Sequence, residues 1–139
     1  MSKLGRYSAD RKKVATLAAG ASTIAAAKCG TIFLVDCDTA ATPTLPAVAD
    51  AGAGWWCKFV NVDEGTEDIV ITAPGAIMSV STHSSQGGDV KALSAGGLTT
   101  ITLNAANAST LGDQVEIFCD GTLYHALVHI DEDAAVTVA

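Results

Sequence analysis

Residues 114–130 read QVEIFCDGTLYHALVHI. Two runs rich in Val, Ile, Phe, Tyr and Leu, Gln114–Cys119 and Thr122–Ile130, flank Asp120–Gly121. A two-residue Asp-Gly loop between such runs is a strong hairpin signal, because both central positions of the favoured turn take φ > 0.

The same grammar continues upstream. Cys29–Gly30 is a turn, and Thr31–Cys37 (TIFLVDC) is β-branched and aromatic at strand length. Thr42–Leu45 is a short extended piece between Pro43 and Pro46, which predicts an edge strand. Ala47–Gly54 reads as a small-residue loop with room for one helical turn. Trp55–Val62 (WWCKFVNV) alternates, and with Ile69–Thr72 across the acidic turn Asp63–Asp68 it predicts a second hairpin. Ile77–Val80, Leu98–Leu103 and Ala135–Val138 are further short strands. His83–Asp89 reads as a loop, and Asn104–Gly112 as a loop or a single helical turn. That is about nine strands with frequent turns and no repeat of fixed period. The fold class is all-β: an antiparallel β-sandwich or partly open barrel with an extended N-terminal arm. Helix is expected only at Asp10–Ala19 or Ser22–Ala27. The domain reading is an N-terminal basic arm and connector over 1–28 and a β-domain over 29–139.

Composition constrains the function. The chain has 139 residues, 25 of them alanine and 13 glycine, with only 5% aromatics. Small side chains bury little area each, so a lone monomer would have a thin core, and a partner chain is expected. The net charge of −7 is unevenly spread: residues 1–13 carry +4 and residues 14–139 carry −11. An acidic body argues against a nucleic-acid groove, which needs a cationic face. The cationic residues Lys3, Arg6, Arg11, Lys12 and Lys13 by themselves can touch nucleic acid, an acidic protein surface or the body of a neighbouring copy. No apolar run approaches the ~20 residues of a membrane span.

Val14–Ala27 follows the basic stretch as a signal peptide would, but it carries Thr16, Gly20, Ser22 and Thr23 in the apolar region. Lys28 also stands where cleavage before Cys29 needs a small residue. The expectation is an uncleaved, non-secreted chain. Cys29, Cys37, Cys57 and Cys119 form no CxxC pair, so zinc-ribbon and thioredoxin-like readings fail. They are expected to be buried, reduced thiols, with a Cys29–Cys37 disulfide as the alternative.

No catalytic motif stands out: there is no GxSxG, GxxxxGK[ST] or GxGxxG, so no enzyme and no cofactor is expected. His125 and His129 share one strand face roughly 13 Å apart, too far for a single zinc ion bound at ~2 Å. His83 has no partner near it in sequence. Asp36–Asp38 and Asp131–Asp133 are short acidic clusters lacking the glycine-punctuated loop of an EF-hand, and they read as turn acids. Trp55 and Trp56 point to opposite faces of a strand, so one can fill a core and the other can reach a partner; plain core packing is the leading reading, and an interface, exposed tip or sugar-binding platform is the alternative.

The order of these motifs resembles a pattern in small virion proteins of tailed bacteriophages. It runs Cys29-Gly-Thr-Ile-Phe-Leu-Val-Asp36, then Pro43-Thr-Leu-Pro46, then Ala51-Gly-Ala-Gly-Trp-Trp-Cys-Lys-Phe-Val60. It continues with Asp68-Ile-Val-Ile-Thr72, Gly112-Asp-Gln-Val-Glu-Ile117 and the Asp120–Gly121 turn. Tyr124 stands about where that family has Trp. The resemblance covers residues 29–138 and implies a capsid decoration (cement) protein, β-rich, homotrimeric and non-catalytic. Its partners would be the major capsid protein and copies of itself, at the virion surface. The alternative is a head or tail fibre component that binds host glycans through Trp55 or Trp56.

Overall fold

The computed structural model describes residues 12–75, 78–84, 90–104 and 111–139. Lys3, Arg6 and Arg11 lie outside them, as do most of the loops expected over His83–Asp89 and Asn104–Gly112. The described chain is an all-β sandwich of two sheets. Its strands are β1 (Lys13–Thr16), β2 (Gly20–Thr23), β3 (Thr31–Val35), β4 (Ala41–Thr44), β5 (Trp56–Asn61) and β6 (Ile69–Thr72). They continue as β7 (Met78–Ser84), β8 (Val90–Leu98), β9 (Thr100–Leu103), β10 (Gln114–Cys119), β11 (Tyr124–Ile130) and β12 (Val136–Val138). The larger sheet runs β1-β3-β5-β10-β11-β7-β8 and the smaller β12-β9-β6-β4-β2.

Up to β6 the chain alternates strictly between sheets. Strands β1, β3 and β5 lie side by side and parallel in the larger sheet, and β2, β4 and β6 do the same in the smaller. These are three coils of a parallel winding. The larger-sheet register pairs Lys13 with Thr31 and Thr31 with Cys57, so successive coils differ in length. Unequal coils leave no fixed period in the sequence. Both sheets are therefore mixed rather than antiparallel, and neither closes into a barrel.

Several expectations change. The stretch read as connector supplies β1 and β2, edge strands of the two sheets, and only Ala26–Lys28 turns as a short 3-10 helix. Alanine favours helix intrinsically, but pairing with β3 and β4 satisfies the backbone of a stretch too short to hold a helix alone. The expected β5–β6 hairpin does not form, because the Asp63–Asp68 turn carries the chain to the opposite sheet. Strand β4 is interior, between β2 and β6. It tolerates Pro43 because its ladder to β6 pairs Ala41 with Ile69 and Thr44 with Thr72, leaving Pro43 unmatched on that side. Strand β8 lies outside the expected strands except for Leu98, because VKALSAGGL lacks strand alternation.

The Asp-Gly hairpin forms as expected between β10 and β11, although its loop is Asp120–Leu123, four residues long. One helical turn, Val48–Ala51, sits in the small-residue loop. Alternation sends Phe33, Val35, Cys57, Phe59, Val115, Ile117 and Val128 inward from the larger sheet. Ile69, Ile71, Ile101 and Leu103 meet them from the smaller. Phe33 and Phe59 stack at 5.4 Å between ring centroids. The Tyr124 hydroxyl donates to the Pro46 carbonyl at 2.6 Å, and burial pushes its pKa up.

Candidate functional site

Alternation leaves the outer face of the larger sheet without a covering layer among the described residues. Register places its side chains in rows. One row runs Trp56, Phe118, His125 across β5, β10 and β11. The next runs Val14, Ile32, Lys58, Glu116, Leu127 from β1 to β11. A third runs Leu34, Val60, Gln114, His129, His83 from β3 to β7. Val14, Phe118 and Leu127 are 59%, 49% and 44% exposed, and Phe118 and Leu127 are diagonal neighbours on this face. Lys58 faces Glu116 in the middle, so the centre of this face carries no net charge.

The two tryptophans separate as alternation predicts. Trp55 is 3% exposed: its Nε1–H donates to the Ala26 carbonyl at 2.9 Å and its ring meets Tyr124 edge-on at 5.9 Å. It belongs to the core. Trp56 lies half-buried on the outer face over Gly30, where an added Cβ would touch its ring at 3.7 Å. Phe118 stacks on His125 at 4.9 Å, extending the aromatic row. His125 in turn pairs with Asp120, Nε2 to Oδ2, at 2.7 Å. That hydrogen bond, with backbone N–H donors from Leu123 and Thr122, holds the Asp120 carboxyl down to about 2.

Sequence reading missed Phe118 and Leu127 as surface features, although the alternation of Gln114–Cys119 already puts Phe118 beside Glu116. It also left His83 alone. Here His83 lies on β7, in register with His129 of β11, and the rings stack at 5.8 Å.

Of the cationic residues, Lys12 is exposed and Lys13 opens β1 on the edge of the larger sheet, its Nζ donating to the Cys29 carbonyl at 3.4 Å. Asp36 and Asp38 gain Asp63 as a neighbour, with ligand atoms of all three within 4.8 Å. Asp36 and Asp63 each accept a backbone N–H of their own turn at 2.8 Å, which fits the reading as turn acids. All four cysteines are free. Burial, then the nearby Asp36 carboxylate, pushes the Cys37 thiol up to about 11, and burial raises Cys57 as well. Such thiols are poor nucleophiles and poor metal ligands. No helix among the described residues is long and apolar enough to cross a membrane. Comparison with family models, curated proteins and solved structures finds no match to this chain.

Proposed function

We propose that this chain is a bacteriophage capsid decoration protein, a non-enzymatic trimer whose β-sandwich body sits on the outside of the head shell. The observation that carries the reading is charge segregation. A cationic stretch, Lys3, Arg6, Arg11, Lys12 and Lys13, leads into an acidic body at the sheet edge where Lys13 opens β1. The stretch pairs with carboxylates of the major capsid protein. The outer face around Phe118 and Leu127 packs against copies of itself. Three linked arms raise effective concentration, so individually weak contacts give long residence. A molecule that binds only the assembled shell shifts the shell away from disassembly.

The test is binding to purified empty shells of the cognate head. Replacing the five cationic residues by Gln is expected to abolish coating, and coating by the unaltered chain is expected to weaken as salt rises. Undiminished coating by the Gln variant overturns the reading.

A second reading, a fibre component binding host glycans, is favoured by the aromatic row Trp56, Phe118 and His125, since flat rings beside a carboxylate suit sugar faces and hydroxyls. Trp55 is too buried to take part. On a glycan array this reading expects a hit that Trp56→Ala removes.

A further inference from the structure

We propose that His83 and His129 form a binding site for a divalent transition-metal ion of the zinc class. The two residues are 46 positions apart in sequence, and the fold alone brings them together. Strands β7 and β11 are parallel neighbours, and their register matches His83 with His129 directly. Both side chains are exposed on the outer face, with ring centroids 5.8 Å apart and planes 13° from parallel.

Three observations favour a metal over a plain surface pair. First, neither imidazole has a hydrogen-bond or ion-pair partner among the described residues, whereas His125 on the same strand is tied to Asp120. Their ring nitrogens are therefore available as ligands. Second, the pair borders an open cleft of about 440 Å³ whose other walls include Gly112, Asp113 and Asp131. Asp113 Oδ1 accepts the Asp131 backbone N–H at 3.0 Å, so this carboxylate is fixed at the cleft and lends it a negative field. Third, the two rings are near enough to chelate one ion once they turn out of their near-parallel stack so that their in-plane nitrogen lone pairs converge. Tetrahedral zinc held at ~2.0–2.1 Å by two imidazoles puts the ligating nitrogens about 3.3 Å apart. Exposed rings on adjacent strands reach that separation by turning about their side-chain torsions.

Imidazole suits Zn²⁺, Ni²⁺ and Cu²⁺, whereas Ca²⁺ and Mg²⁺ prefer oxygen. With two protein nitrogens, water completes the coordination. The bound ion ties β7 to β11 on the surface, and because the unfolded chain separates the two residues, binding stabilises the fold.

The test is calorimetric titration of the full chain with ZnCl2 at neutral pH, alongside thermal unfolding with and without the metal. The expected result is saturable binding and a raised melting temperature. His83→Gln and His129→Gln should each weaken binding about tenfold or more, as loss of one of two imidazole ligands requires. Both residues are exposed, and circular dichroism checks that the variants stay folded. His125→Gln and Cys29→Ser should leave binding unchanged. The proposal is overturned if ZnCl2 does not bind at millimolar concentration. It is equally overturned if binding survives both histidine variants or is lost with Cys29→Ser. Shell coating is not part of this readout, so the metal site stands or falls separately from the decoration function.

Discussion

Asp120 is where one side chain closes a hairpin and also shapes the outer face. Its Oδ1 accepts the N–H groups of Thr122 and Leu123, both at 2.7 Å, while Oδ2 takes His125. The carboxylate is thus stabilised in its charged form, from its ordinary 3.8 down to about 2. A depressed pKa means that ionised Asp120 favours the folded state above pH about 3.8, and that this contribution is lost as pH falls toward about 2. Followed by NMR, the Asp120 carboxyl should titrate near 2. In His125→Leu its midpoint should rise toward 3.8 but stay below it, because the two backbone donors remain. An unchanged midpoint would show that the imidazole is not a partner in solution. The Asp-Gly signal was legible in the sequence because turn chemistry is local. The Asp120–His125 and Phe118–His125 contacts were not, because they depend on the register that a four-residue loop imposes.

Among the elements, the Asp63–Asp68 turn decides the most. Read locally, an acidic turn between two alternating strands closes a hairpin. In the structure it crosses from one sheet to the other, and the crossing is held by contact with the Asp36–Asp38 turn. Glu67 N–H donates to the Cys37 carbonyl at 2.8 Å, and Gly65 lies directly against that same peptide. A Cβ at Gly65 would fall 2.0 Å from Cys37 backbone atoms. Backbone cannot yield as a flexible side chain would, so Gly65→Ala must displace the crossing. Chemical denaturation is expected to show a loss of about 3 kcal/mol, the scale of overpacking at a rigid site. Gly52→Ala makes a useful comparison. It meets no atom within 4 Å, so its cost comes from its φ of +73° alone. Comparable stability of Gly65→Ala and the parent chain would mean that the two turns do not touch. Nothing near Gly65 in sequence marks this need, since the steric partner lies 28 residues upstream.

At the scale of the whole molecule, the sandwich buries one face of each sheet and leaves the outer face of the larger sheet partly apolar. Phe118 and Leu127 are diagonal neighbours there, and Val14 lies in the row of Leu127 on the edge strand. If copies pack through this face, Phe118→Lys with Leu127→Lys should convert the oligomer to a monomer in sedimentation velocity without unfolding it. Both side chains are already about half exposed, so the folded monomer loses little burial. Persistence of the same oligomer would move the interface elsewhere on the body.

By itself the sequence determined the class of structure and the two alternating faces of Trp55–Val62. Alternation, β-branched runs and Gly or Pro turns act within a few residues, so they are written in the local pattern. It likewise determined that Trp55 and Trp56 part company, and that charge divides into a basic start and an acidic remainder. Only the tertiary structure decided that the first six strands wind between two sheets, that Pro43 sits inside a sheet, and that His83 meets His129. Each of these depends on which distant strand supplies the neighbouring backbone. The competing pairings use the same local preferences, and they are separated only by how completely the two sheets bury their inner faces against each other.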